Sequence, residues 1–255
     1  MTVAKPILLK CMNLLAFALT VLVNGLAGGT TFLGGKLTSE ISDANPTLIT
    51  PAGYVFSIWS VIYVLLGVFV VFQLLYSQKE KGFHERIGWL FVVSCLLNIV
   101  WLFLWQYEYL SISVVLMFML LATLIAIYLR LNIGKSTVPL REKLAVHMPF
   151  SVYLGWITIA SIANVAVTLV SVGWDGFGIS QETWAILIVI VALLITLPVV
   201  ATRKDVAYGL VITWALLGIA VKQGGNQNIV TVTEISAVII VIALALSVLA
   251  SRLRR

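Results

Sequence analysis

Aromatic rings and side-chain amides recur at helical spacing in three stretches of this chain. In "TPAGYVFSIWSVIYVLLG", residues 50–67, Phe56, Trp59, Tyr63 and Gly67 fall three or four apart. Asn98, Trp101 and Trp105 repeat the pattern, and Tyr153, Trp156, Ala160 and Asn164 repeat it again. Residues at these intervals share one face of a helix. Rings of this kind stack on planar π-systems, and amides orient a ligand's few polar atoms. Large aromatics with polar tips normally collect at a membrane surface, so their place inside apolar runs needs a cause. One use is to glue helices, where an interhelical polar pair is worth about 0.6–2 kcal/mol. The other is to line a cavity. For the asparagines both uses stay open; for the tryptophans, bulky rings at one level leave space between helices, which favours a lining.

Other chemistry is sparse. No Asp, Glu, Lys or Arg falls in the middle of an apolar run. Glu108, Lys222 and Glu234 lie near run ends, where long side chains reach for the interface. Proton-coupled pumps keep ionisable groups at mid-membrane, so that class loses support. Lys222 sits too near an end, without an acidic counter-ion, to act as a Schiff-base lysine. His84 and His147 read as surface residues on the cytoplasmic side, and no converging set of ligands for a metal or haem exists. No nucleophile has an evident base, and no two carboxylates could share a cavity. These residues support no enzyme, and they require no cofactor.

The elements that must carry the stripes are membrane helices. The 255 residues are 61% hydrophobic and only 10% charged, far below the charged fraction of soluble domains. Apolar runs long enough to cross a bilayer occupy about 11–33, 52–76, 87–106, 109–130, 145–172, 183–201, 206–222 and 234–251. With a cytoplasmic N-terminus, these eight spans place Lys5, Lys10, Lys79, Lys81, Arg86, Arg130, Lys135, Arg141, Lys143, Arg203, Lys204, Arg252, Arg254 and Arg255 inside. Of the 16 basic residues only Lys36 and Lys222 fall outside, so both termini are expected inside the cell. The net charge of +6 therefore reports topology and does not call for nucleic acid. The first run is longer than a signal-peptide core, which favours a retained helix. Cys11 and Cys95 lie at different depths, which argues against a disulfide. The polar first outer loop, "GKLTSEISDANPTLITPAG", is either a lid or a plain connector. Beyond residue 172 the spans become mostly aliphatic, which predicts a functional part at 1–175 and three additional helices at 176–255. Small residues in the seventh span, Gly209, Ala215 and Gly218, would allow close helix approach.

The run from Trp59 through Tyr63 to Gly67, preceded by a proline and "YVF", resembles the helix-2 signature of the TspO/MBR family, the translocator or tryptophan-rich sensory proteins. "LNIVWLFLW", 97–105, and "YLGWITIASIAN", 153–164, resemble its helix-3 and helix-5 motifs. "NGLAGGTT" is similar to its glycine-rich first helix, so the resemblance covers about 10–172. Thr50-Pro51 stands where the family has two prolines, and Tyr54 or Gly53 where it has Trp. Val152 replaces the proline before Tyr153. The resemblance implies a five-helix bundle, and with the three aliphatic spans outside that pattern the expectation is an all-α, polytopic membrane protein. It also implies a planar hydrophobic ligand such as a tetrapyrrole, bound and not consumed, and a homodimer; the extra helices could instead favour a monomer. A permease using the same cavity, and a structural scaffold, are the alternatives; porphyrin breakdown rests on the resemblance alone. The expected site has Trp59, Trp101, Trp105 and Trp156 as walls and Tyr54 and Phe56 at the entrance. Asn98 and Asn164 form its floor, with Tyr63 close to them and Ala160 on the same face as Asn164.

Overall fold

In hydrocarbon a backbone N–H or C=O finds partners only in protein, and a helix satisfies a segment's own groups. The computed structural model describes residues 4–75 and 82–253, and among them every regular element is helical. In order these are α1 (Ala4–Gly29), α2 (Thr38–Ala44), a 3-10 turn (Gly53–Ser57), α3 (Ile58–Leu75), α4 (Phe83–Ile87) and α5 (Leu90–Gln106). They continue with α6 (Leu110–Arg130), α7 (Leu140–Glu142), a π-turn (Lys143–His147) and α8 (Met148–Ser171). Last come α9 (Gln181–Arg203), α10 (Val206–Lys222) and α11 (Gln227–Leu253). Among the described residues six stretches are long and apolar enough to cross a membrane: α1, the turn with α3, α6, α7 through α8, α9 and α11. The shorter apolar helices α5 and α10, 17 residues each, sit at the lower limit for a span and complete the eight positions expected. The protein is an all-helical, polytopic membrane chain. Of the basic residues assigned to the inner side, Lys79, Lys81, Arg254 and Arg255 lie outside the described residues.

Beside an apolar core, burial departs from that of a soluble protein in both directions. Polar Asn13, Thr20, Gln73, Ser94, Asn98 and Gln106 are at most 2% exposed, while Leu22, Val64 and Leu75 are 58–81% exposed. Lipid is as apolar as leucine, so outward apolar faces are free of penalty and inward polar ones find each other.

Local chemistry explains where the helices depart from the expected bounds. The first helix stops at Gly29, four residues early, and Gly34 and Gly35 adopt φ of +70° and +74°, which only glycine takes without strain. Phe56 was expected on one α-helical face with Trp59, Tyr63 and Gly67; it lies instead in the 3-10 turn after Pro51, and α3 begins at Ile58. The last span begins seven residues early because the Asn226 side chain accepts from Ile229 N–H at 3.2 Å and starts the helix there. Pro149 lacks the N–H that an α-helix would use, and the π-turn just before it is the local adjustment. His147, expected at the surface, ends that π-turn and is only 5% exposed; the segment from α7 through α8 is the most buried of the spans.

The residues pack as two compact units, Met1–Ile41 with Trp59–Leu154, and Ser42–Ile58 with Gly155–Arg255. In the first, α5 packs on α1 and α6, Phe69 meets Phe91 and Phe150 edge-on at 5.0 and 5.1 Å, and Gly67 admits Phe17. In the second, α9, α10 and α11 pack together, and Gly209 lets Leu244 and Val200 approach α10. The Pro51–Ser57 segment docks on the other end of α10: Ala52 N–H donates to Gly218 O at 3.0 Å and the Trp214 indole N–H donates to Val55 O at 3.3 Å. Lys222 pairs with Asp43 at 2.8 Å.

A side chain on Gly218 would collide with Val55 and come within 3.3 Å of Pro51. Overpacking of this kind costs about 1–3 kcal/mol. Gly218→Val should therefore lower the thermal midpoint of the detergent-solubilised protein by several degrees. Gly225→Ala, where a Cβ meets nothing within 4 Å, should leave it in place.

Candidate functional site

The sequence-derived residues divide between the two units. In the first, α3 presents Trp59 and Tyr63 on one face, α5 presents Asn98, Trp101 and Trp105, and the start of α8 adds Tyr153. Trp59 stacks on Tyr63 (ring centroids 5.7 Å, 17° between planes) and on Trp101 (6.4 Å, 28°). Tyr153 meets Trp59 edge-on at 6.1 Å, and Trp105 follows Trp101 at 5.8 Å. The rings form a ladder of flat faces, with Trp101 and Trp105 each 6% exposed.

Polar groups finish the ladder at both ends. Toward Trp105, the indole N–H donates to Thr38 O at 3.2 Å. Beside it Gln106 donates to Leu33 O (3.0 Å) and Lys36 O (2.8 Å) and accepts from Thr38 Oγ1 (3.1 Å). Lys36 also pairs with Glu108, so the chain from Leu33 to Thr38 is strapped to the end of α5. Toward Tyr63, Asn98 Oδ1 accepts from Asn24 Nδ2 at 2.7 Å, and Asn24 also donates to Thr20 O. Asn98 Nδ2 and the Tyr63 hydroxyl are buried with no hydrogen-bond partner. A buried donor without an acceptor costs about 1–3 kcal/mol, so these two atoms carry an unmet hydrogen-bonding demand.

In the second unit, Phe56 meets Trp156 edge-on at 5.9 Å. Tyr54, 49% exposed, lies edge-on to Trp214 at 5.4 Å. Asn164 is 2% exposed in the same face of α8 as the half-buried Ala160. A cleft among α8, α9 and α10 is lined by aliphatic residues, among them Ile49, Ile159, Ile188 and Leu216, and by none of the ten expected site residues.

Sequence reading passed over Asn24, Gln106, Tyr153 as a contact of Trp59, and Trp214. Asn24 was within reach. Lys10, Asn13, Phe17, Thr20, Asn24 and Ala27 repeat at intervals of three and four, which puts polar residues on a single inward stripe. Gln106 carried no such sign, because its partners are backbone carbonyls of a loop.

A family model described as TSPO-like protein matches residues 10–249. The match runs on through α9, α10 and most of α11, past residue 172 where the motif resemblance ends. No curated protein and no solved structure matches the chain.

Removing Asn24 takes away the amide that donates to Asn98 Oδ1. Asn24→Ala and Asn98→Ala should each destabilise by about 1–3 kcal/mol. The double variant should cost clearly less than the sum, as a double-mutant cycle on detergent unfolding would record. Strict additivity would mean the pair does not act as one interaction.

Proposed function

The chain belongs to the TSPO-like protein family, and from that membership and the aromatic ladder we propose that it is a membrane receptor or carrier for a planar, hydrophobic molecule of tetrapyrrole type. The family indicates, in general, ligand binding or transport in a membrane, without catalysis. The observation that carries the finer reading is the stack Trp59–Trp101–Trp105 beside two unpartnered polar atoms, Tyr63 hydroxyl and Asn98 Nδ2. Flat faces receive a π-system, and the two polar atoms receive an oxygen at its rim. In this reading residues 1–175 carry the ligand and 176–255 are the additional helices. Tyr54, Phe56, Trp156, Ala160 and Asn164, expected from the sequence to share the site, belong to the second unit.

Losing one stacking ring removes about 0.5–1.5 kcal/mol beyond its lost burial. Trp59→Ala or Trp101→Ala should therefore weaken protoporphyrin binding about tenfold or more, read by quenching of tryptophan fluorescence. Trp184→Ala, in α9, should bind as wild type does. Folded Trp59 and Trp101 variants with unchanged affinity would sink the reading and leave the rings as packing. Proteoliposomes separate a receptor from a permease: movement of the ligand across the bilayer would favour the permease.

We place both termini in the cytoplasm and the protein in the cytoplasmic membrane, because the inner segments gather the basic residues. After Cys11→Ser, single cysteines at Gly82 and Lys135 should label only from the inside. Those at Glu40 and Ile179 should label only from the outside. The reverse pattern would invert the topology.

A further inference from the structure

Three aromatic rings gather at the turn between α8 and α9, within the second unit. Trp174 stands nearly perpendicular to Phe177 (ring centroids 5.4 Å, 88° between planes) and lies against Trp184 (5.2 Å, 53°). Two perpendicular rings form a corner, and a group seated in it meets both faces. The Trp184 indole N–H donates to Gly176 O at 2.9 Å, and a Cβ on Gly176 would come within 3.2 Å of that nitrogen, so the turn is held close to α9. Phe177 is 79% exposed and has a φ of +54°. Gly173, Gly176 and Gly178 take the same left-handed region, which glycine adopts without strain. A glycine would serve at 177 as well, so the backbone does not call for a ring there. Asp175 steadies the residue by accepting from Phe177 N–H at 3.0 Å. Phe also lacks the polar tip that suits Trp and Tyr to a membrane interface.

The charge near this corner is mostly of one sign. At this end of the unit the described residues carry the carboxylates Asp43, Asp175, Glu182 and Glu234 and one ammonium, Lys222, which pairs with Asp43. Arg203 and Lys204 lie at the other end of α9, about 30 Å away at about 1.5 Å per residue. We propose that Trp174 and Phe177, with Asp175 beside them and Trp184 holding the turn, bind a methylated ammonium group, carried either by a lipid headgroup or by a free solute. Ring faces are the negative part of the aromatic quadrupole and attract a cation whose charge is spread over methyl groups. The exposed Asp175 carboxylate adds a full negative charge next to them. A primary ammonium holds its water more strongly and fits less well, and an anion is repelled by the same carboxylates.

Saturation-transfer NMR on the full chain in an uncharged sugar detergent tests this with choline and its tert-butyl isostere, in which carbon replaces nitrogen. After subtraction of the signal from empty micelles, wild type should bind choline about tenfold better than the isostere. Equal binding overturns the proposal without need of any variant. Phe177→Gly suits the left-handed backbone and should fold as wild type does, but lose most of the preference, while Phe177→Tyr keeps it. Asp175→Asn retains an acceptor for Phe177 N–H and removes the charge, so it should weaken choline and leave the isostere unchanged. A folded Phe177→Gly variant that keeps the preference also overturns the proposal. Native mass spectrometry separates the two sources. Retention of phosphatidylcholine over phosphatidylglycerol of the same acyl chains would make a lipid headgroup the ligand, and binding of free choline alone would make it a solute; both agree with an ammonium site. Protoporphyrin binding should be unaffected throughout, which separates this site from the ladder.

Discussion

A bilayer interior offers no hydrogen-bond partner, and most of this structure follows from that lack. Each amide or hydroxyl within a span must be answered by another part of the protein. Asn24 answers Asn98, Asn13 answers Gln73, and Thr20, Ser94 and Ser113 turn back to carbonyls of their own helices. The polar stripe of α1 therefore faces inward by necessity, and α5 packs against that helix. The aromatic ladder rests on the same arrangement, since Asn98 shares a helix face with Trp101 and Trp105. At Tyr63 and Asn98 Nδ2 the answering is incomplete, and a polar demand stays unmet within the bundle.

Much of this is legible in the sequence because the signals are one-dimensional. Apolar runs fix the spans, and spacing of three and four fixes which rings share a face. Trp59, Trp101 and Trp105 come together for that reason. Phe56 escaped the same logic because Pro51 and Gly53 start a 3-10 turn, whose tighter winding moves the residue off the α-helical register. His147 escaped because topology alone cannot show a buried π-turn. Gln106 and Trp214 were hidden for another cause. Their bonds run to loop carbonyls at Leu33, Lys36 and Val55, and no side-chain pattern announces a backbone acceptor. Gly218 was expected to admit a helix; what it admits is the segment around Val55.

That same docking constrains the order of events during synthesis. The segment from Asp43 to Val55 leaves the ribosome long before Trp214, Gly218 and Lys222, the residues that hold it, 159 to 179 positions later for the side-chain contacts. At about 5–20 residues per second the wait is on the order of ten to thirty seconds. Through that interval Pro51 and Val55 have no groove, and Asp43 has no cation from α10. This segment is thus finished last although it is made early. A nascent chain halted before α10 has inserted lacks the surface on which this segment settles, so quality control that senses exposed loops has a long window in which to act on it.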